Sequence, residues 1–509
     1  MVHQLPDPDP DLCRRLAADL HAAGFRSDRL RELWGSAADA AIGRGDALPA
    51  RRAFARDDHP LATIARLFGI GDPVPAEAVA AAFPATGVAG LEALGAVARD
   101  GGMLHPQLLI RPQDWVDDTG AGQWWIASDL DEAALHGALP EDHVLGVGGA
   151  SLTLAGLQLP VPTGRVLDLG TGCGIQALRA RLFADAVVAT DVSARALAIT
   201  RLNALLNGVD GIDVRLGDMF APVDGELFDR VVSNPPFVIT PRTDEMPAYE
   251  YRDGGRIGDG VVASFVETVG RVLAPGGVAQ LLGNWETKDG VDGLNRVRQW
   301  VAASGIPLDA WVIERERLDP VAYAQLWIRD AGTLPGSPEY DRMLGAWLDD
   351  FEARGVSEIG FGYVLLRRAT GSARLARYER VLQPVAEAGL GAALARSLDA
   401  WDRVSGMDDA AVAASVLLTA PDVTEARHHL PGAEAPSVIE LHQGGGFARV
   451  LEADPALAAL VGACDGDLAV GVLIDAIAQL LDADAAALRA DLVPRVRELL
   501  FIGMLRFAD

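Results

Sequence analysis

Two short segments of the chain hold residue types that can do chemistry. The first is Val166-Leu167-Asp168-Leu169-Gly170-Thr171-Gly172-Cys173-Gly174-Ile175. An apolar run stops at Gly170 and a helical pattern begins at Ile175, so the glycines fall in a strand-to-helix turn. Glycine lets a backbone turn sharply and approach a ligand with no Cβ in the way. Asp191 closes the next apolar run, 17 residues after Gly174. A carboxylate there can accept both hydroxyls of a ribose. Alone it would read as an acid capping the following helix; the glycine turn favours the ribose. The pattern Asp-x-Gly-x-Gly-x-Gly also differs from the Gly-x-Gly-x-x-Gly of dinucleotide folds, which argues against NAD. Asp218 and Met219 follow the third apolar run, placed to accept from a base amino group and to pack on its ring. Met219 reads almost as well as a core methionine.

The second segment is Val231-Val232-Ser233-Asn234-Pro235-Pro236-Phe237. Two prolines fix the chain in an extended shape just past a strand end. The side-chain oxygen of Asn234 and the carbonyl of Pro235 can both accept from one –NH₂ group. Phe237 offers a flat face for a planar amide or base. A structural Asn-Pro turn is the plainer alternative, and the position at a carboxyl strand end beside a ligand crevice favours the chemical one.

These segments need a sheet to position them, and residues 164 to 370 supply the pattern. Strands are expected at 165–169, 186–190, 212–216, 230–233 and 279–283, with helices at 175–183 and 194–207. Alternating strands and helices imply a parallel sheet covered on both faces. Two later strands, 309–313 and 360–366, flank a helical stretch and close the edge of the sheet. Residues 1 to about 145 read as helices, the last three being 60–68, 75–82 and 87–100, followed by a hairpin of 103–110 with 123–128. Three helices and a hairpin fit a winged helix and equally a helical cap. Trp124 and Trp125 in that hairpin read more readily as core than as a partner patch. Residues 371 to 509, past a polar boundary at 367–372, read as mostly helical, with one hairpin turning on Gly444-Gly445-Gly446 and two terminal helices, 468–481 and 485–499.

With these motifs in hand, the chain resembles the class I S-adenosylmethionine-dependent N-methyltransferases of the small methyltransferase domain kind. They include HemK-like glutamine methyltransferases of release factors, guanine-N2 ribosomal RNA methyltransferases and adenine-N6 methyltransferases. The resemblance covers about 200 residues. It implies a Rossmann-like seven-stranded α/β domain at 146–370, flanked by N-terminal (1–145) and C-terminal (371–509) domains that are mostly helical or winged-helix-like. It implies S-adenosylmethionine as cofactor, held by Asp168, Gly170, Thr171, Gly172, Gly174, Asp191, Asp218 and Met219. It further implies that Asn234, Pro235, Pro236 and Phe237 hold the target nitrogen. Phe237 in place of tyrosine is more like the ribosomal RNA enzymes, whereas the glycine turn and Asp253-Gly254-Gly255…Asp259-Gly260 are more HemK-like. The segment 240–259, with Arg242, Tyr249, Tyr251, Arg252 and Arg256, reads as a cover for the acceptor or as a solvated loop.

Composition narrows the acceptor. The 509 residues are 50% hydrophobic and carry a net charge of −27, a globular composition long enough for two or three domains. Nucleic-acid binding draws on Lys and Arg, and the only lysine is Lys288. The acidity therefore favours a protein acceptor, a glutamine-like side chain, over an RNA or DNA base; small-molecule N-methylation is a further alternative. Three distant cysteines, Cys13, Cys173 and Cys464, show no metal-ligand spacing. The first eleven residues lack the basic and apolar regions of a signal peptide, and no apolar run is long enough for a bilayer, so a cytoplasmic protein is expected.

Overall fold

The computed structural model describes residues 5–54, 59–117, 120–135, 139–140, 142–242, 254–330, 332–385 and 389–508. Two compact units divide the chain, one of residues 1–158 with 162–380 and the other of 159–161 with 381–509.

The centre of the first unit is an eight-stranded sheet. Its strands are β1 (Thr163–Leu169), β2 (Ala184–Asp191), β3 (Ile212–Leu216), β4 (Phe228–Ser233), β5 (Leu273–Lys288), β6 (Leu308–Leu318), β7 (Val356–Arg368) and β8 (Ala376–Arg380), in the order β8-β6-β7-β5-β4-β1-β2-β3. Strands β3, β2, β1, β4 and β5 run parallel, and β7 runs antiparallel to β5 and β6. The helices are α1 (Gly149–Leu157), α2 (Ile175–Ala180), α3 (Ala194–Leu206), α4 (Gly260–Thr268), α5 (Gly293–Ala303), α6 (Pro320–Asp330) and α7 (Pro338–Ala353). The expected Rossmann-like α/β domain is therefore present. An eighth strand joins it beyond Arg368, where the polar stretch reads as a boundary but the chain returns to pair parallel with β6. Strand β5 also begins earlier than its apolar run. It detours at Pro275-Gly276-Gly277 between pairings with β4, and a Cβ at Gly277 would lie 2.8 Å from the Phe228 carbonyl oxygen.

Before the sheet come helices Pro10–Ala22, Ser27–Trp34, Ser36–Ile42 and Leu48–Ala53. Next is Pro60–Ile64, extended by a π turn at Ala65–Gly69, and then helices Ala76–Ala82 and Gly87–Ala93. A three-stranded sheet accompanies them, Val74–Pro75 and Val97–Asp100 flanking Met103–Pro106. The order is helix, strand, two helices and two strands, and the hairpin is not the expected one. The last helix stops before Gly95, whose φ of 68° suits a helix terminus, and 97–100 pairs with 103–106. The strand expected over 103–110 is two strands. Leu109–Asp117 belongs to a separate hairpin with Gly120–Ser128. Trp124 is buried there, and Trp125 donates its indole N–H to the Phe25 carbonyl at 2.7 Å.

Helix α3 holds that hairpin by two asparagines one turn apart. Asn203 Oδ1 accepts from Ala127 N at 2.7 Å and its Nδ2 donates to Ala127 O at 2.9 Å. Asn207 repeats the pattern with Trp125 N and O, both at 2.8 Å. Nearby, Arg195 of α3 and Asp129 form an ion pair buried from water.

The second unit contains helices Leu390–Val404, Asp409–Ala414, Pro455–Ala463, Val470–Leu480 and Ala485–Phe501. It is less helical than its alanine- and leucine-rich sequence suggests, since it holds two three-stranded sheets. One has Val416–Thr419 between Asp465–Ala469 and Leu505–Phe507. The other adds Val423–His428 to a hairpin of Val438–Gln443 and Val450–Ala453, where one was expected over 438–441 and 447–451.

Candidate active site

The strand order reverses between β1 and β4, and open α/β sheets bind ligands in the crevice at such a reversal. The two strands are paired there, Leu169 opposite Ser233, and the Ser233 hydroxyl donates to the Leu169 carbonyl at 2.8 Å. The glycine turn and Asn234 thus leave adjacent strand ends. The turn is firmly held from behind. Gly170 N and Thr171 N both donate to Thr190 O at 2.9 Å, and Asn203 Nδ2 donates to Cys173 O at 2.8 Å. Its glycines serve two purposes. Gly170 and Gly172 have φ of 72° and 55°, and a Cβ on either would meet nothing within 4 Å, so this backbone faces open space. At Gly174 (φ 86°) a Cβ would come within 2.9 Å of Thr200 Cγ2, so close packing with α3 excludes it.

Asp168 is fully buried. One carboxylate oxygen accepts from the Thr171 hydroxyl at 2.7 Å, and the other, Oδ1, has no hydrogen-bond partner. Burial pushes its pKa up to about 7, against the lowering effect of the Thr171 bond. Asp191 sits at the end of β2, where its oxygens accept from Gly172 N at 3.0 Å and Ser193 N at 2.9 Å. Burial raises its pKa too. Asp218 is exposed, and Met219 beside it is half-buried against the sheet core with a φ of 46°, a left-handed conformation uncommon outside glycine. Cys173 is buried, which pushes its thiol up to about 11 and leaves it un-ionised at neutral pH.

Across the crevice, Asn234 Nδ2 lies 3.4 Å from Ser151 Oγ, while Oδ1 is buried with no partner. Pro235 is buried behind it. Phe237 packs against Phe361 and Trp327, with ring centroids at 5.4 and 6.4 Å. Tyr323 of α6 braces the segment, its hydroxyl accepting from Ile239 N at 3.1 Å and from Asn284 Nδ2. Among residues of the following loop, Tyr249, Tyr251 and Arg252 lie outside the described residues. Arg242 donates to the Arg256 carbonyl at 3.0 Å. Asp259 anchors the far end of the loop, accepting from Glu286 N at 3.0 Å and pairing with Arg296.

The structure also adds residues that the motifs do not reveal. Ser151 comes from α1, ahead of the glycine turn, and the only local signal was the small-residue run Gly146 to Gly149 before it. Gln176 Nε2 donates to the Ser151 carbonyl at 2.7 Å, and Gln158 Nε2 donates to Gln176 Oε1 at 2.8 Å.

Comparison with known proteins covers the same ground. Residues 148–288 match the methyltransferase small domain. That span holds the glycine turn, Asp191, Asp218 and the Asn-Pro-Pro-Phe segment, so the central domain is a methyltransferase domain with S-adenosylmethionine as its cofactor. The turn fits that group: it offers an open backbone cradle and, in Asp168 Oδ1, a buried acceptor with no well-aligned hydrogen bond. Relatives of the methyltransferase domain act on different acceptors. A release factor glutamine methyltransferase of Xylella fastidiosa is 45% identical over 76 residues, 14% of this chain and 28% of that one. A ribosomal protein uL3 glutamine methyltransferase of Bradyrhizobium diazoefficiens is 32% identical over 151 residues, 28% of this chain and 46% of that one. A ribosomal RNA small subunit methyltransferase C of Salmonella newport is 32% identical over 145 residues, covering 28% and 40%. The chain thus spans less than half the length of these relatives. Residues 22–107 and 395–507 match two domains of unknown function, DUF7059 and DUF7782. Among the described residues, no helix is long and apolar enough to cross a membrane.

Proposed function

We propose that the protein is an S-adenosylmethionine-dependent N-methyltransferase acting on a planar amide or amino nitrogen of a protein, a glutamine-like side chain. The observation that carries this reading is the buried, unpartnered Oδ1 of Asn234, one strand across from the glycine turn. A buried acceptor without a donor is costly unless a ligand supplies one. In this reading Asn234 Oδ1 and the Pro235 carbonyl accept the two N–H bonds of the target, and Pro236 keeps the segment rigid. Phe237 lines the same place. Bound S-adenosylmethionine supplies an electrophilic methyl group. Gly170, Thr171, Gly172 and Gly174 shape its cradle, Asp168 takes its amino end, Asp191 its ribose, and Asp218 with Met219 its base. The chain contributes positioning and stabilisation of the positive charge that builds on nitrogen; the proton leaves to water after transfer.

A protein acceptor is favoured over a nucleic acid by the arginines as well as by the net charge of −27. Helix Ala485–Phe501 carries Arg489, Arg495 and Arg497, each paired with a carboxylate: Asp475, Asp454 with Asp491, and Asp409. Helix Gly87–Ala93, in the position of a winged-helix recognition helix, has no basic residue. Phosphate binding needs cations that are free to meet it. The two flanking family matches fall within 1–145 and 371–509, which supports reading those segments as modules appended to the catalytic one.

The test is incubation of purified protein with methyl-labelled S-adenosylmethionine and a host extract, with protease or nuclease treatment before separation. Label that protease removes, and that an Asn234→Ala variant fails to introduce, is the expected result. Label removed by nuclease would replace the protein acceptor with an RNA or DNA base. Label in small molecules alone would replace it with a metabolite.

A further inference from the structure

Strands β6 and β7 are antiparallel neighbours, a pair that two residues can join. Instead β6 ends at Leu318 and β7 begins at Val356, with helices α6 and α7 between them. Each helix has its own start signal ahead of a proline: Asp319 Oδ1 accepts from Ala322 N at 2.8 Å, and Ser337 Oγ accepts from Tyr340 N at 3.1 Å. We infer that this helical pair belongs to the acceptor site and that Tyr323 of α6 is the positioning residue through which it holds the Asn-Pro-Pro-Phe segment. The inference rests on the acceptor role just proposed for that segment.

Pro235 and Pro236 make the segment stiff, so it is placed by its two ends. At the first end, Ser233 belongs to β4 and is tied to Leu169. At the second, Ile239 is almost wholly buried and its N–H donates to the Tyr323 hydroxyl oxygen at 3.1 Å. A backbone N–H can only donate, so the sense of that bond is fixed. The tyrosine ring is held in turn by aromatic neighbours, with centroids at 6.1 Å to Trp327, 5.8 Å to Trp347 and 6.0 Å to Phe351. Its oxygen also contacts the side-chain amide of Asn284 on β5. Val238 and Ile239 lie in one hydrophobic core with α6 and α7, and Phe237 packs against both that core and the core of the sheet. The acceptor segment thus leaves the sheet at Ser233 and enters the helical pair at Val238. Held at both ends, Asn234 and Pro235 keep one position relative to the cofactor turn; with the second end released, that position becomes one of several.

The experiment compares wild type with Tyr323→Phe, Tyr340→Phe and Asn234→Ala. Tyr323→Phe keeps the ring in its aromatic cluster and removes only the hydroxyl. Tyr340 is the matched control: it lies in the same core, and its hydroxyl has no hydrogen-bond partner among the described residues. Methyl-labelled S-adenosylmethionine with increasing amounts of host extract gives a plateau rate and a half-saturating amount of extract. Calorimetry with S-adenosylhomocysteine reports the cofactor site separately and shows that each variant is folded. A buried N–H that loses its partner is disfavoured about ten-fold or more. The released segment then becomes populated, and the acceptor must draw it back before it is held. Apparent affinity falls with the competent fraction, whereas the saturated rate does not. Tyr323→Phe is therefore expected to need about ten-fold more extract for half-saturation, with plateau and cofactor affinity retained, and Tyr340→Phe to match wild type. Unchanged half-saturation in Tyr323→Phe beside an inactive Asn234→Ala overturns the role of Tyr323 and leaves the acceptor site standing. A plateau that falls alone overturns it as well, because it reports lost enzyme and not a displaced segment. An equal shift in Tyr340→Phe does the same, since the helical core and not the bond then sets the effect. An active Asn234→Ala variant, or a wild type that labels nothing, removes the acceptor reading and this inference with it.

Discussion

Asp168 ties cofactor affinity to pH. Its carboxyl is fully buried and held at a pKa of about 7. A cationic amino group placed beside it is attracted by the ionised form and not by the neutral one. At pH 6 about a tenth of the carboxyls are ionised, and at pH 8 about nine-tenths. S-adenosylhomocysteine, whose amino group stays protonated across that range, is therefore expected to bind about ten-fold more tightly at pH 8 than at pH 6, with a midpoint near 7. Folding stability runs the other way. The folded pKa lies about three units above the ordinary carboxylate value, so this group's contribution is fully present below about pH 4 and is lost as pH rises through about 7. The full difference is about 4 kcal/mol. Without ligand, the wild type should lose Tm between pH 4 and 7 more steeply than Asp168→Asn. Titration calorimetry from pH 6 to 8 and thermal unfolding of both proteins check the two halves. A flat affinity profile in the wild type, or an equal slope in Asp168→Asn, would refute the reasoning.

Other variants probe the scaffold around the crevice. Asn203→Ala leaves Ala127 N, Ala127 O and Cys173 O without their partner, at a cost of about 3 kcal/mol or more in denaturant unfolding, with weaker S-adenosylhomocysteine binding because the turn loses its brace. Gly174→Ala meets both a left-handed φ and Thr200, whereas Gly170→Ala meets only the former, so the Tm of Gly174→Ala should be the lower of the two. Arg354→Ala strands the buried carboxylate of Glu286, costing about 3–5 kcal/mol near neutral pH. Burial already raises the Glu286 pKa, so that loss should shrink on acidification as the stranded carboxyl takes up a proton.

The parts of this molecule that can be read from sequence are those whose cause is local. A glycine turn between an apolar run and a helix, or Asn-Pro-Pro past a strand, states its own geometry, and the alternation of strands and helices states the sheet. Alanine- and glycine-rich stretches do not. Residues 87–100 have helical spacing throughout, yet Gly95 ends the helix and the remainder becomes strand by pairing with 103–106. Strand β8 is five residues of mixed polarity, and only its place beside β6 makes it a strand. Phe237 is visible as an aromatic residue after the prolines, but its neighbours Trp327 and Phe361 come from α6 and β7, about 90 and 120 residues later, so its packing is a tertiary fact. Ser151 and Asn203 carry no motif at all, because their partners are set by chain crossings rather than by spacing.

The asparagine pair on α3 has a consequence beyond stability. The outer side of strand Gly120–Ser128 exposes backbone donors and acceptors at Trp125 and Ala127, and two side chains consume all four. Left open, such a row is a template on which another chain can add a strand. Asn203 and Asn207 occupy it with amides that imitate a neighbouring backbone but cannot be extended, so this stretch of the strand edge, from Trp125 to Ala127, is closed to strand addition.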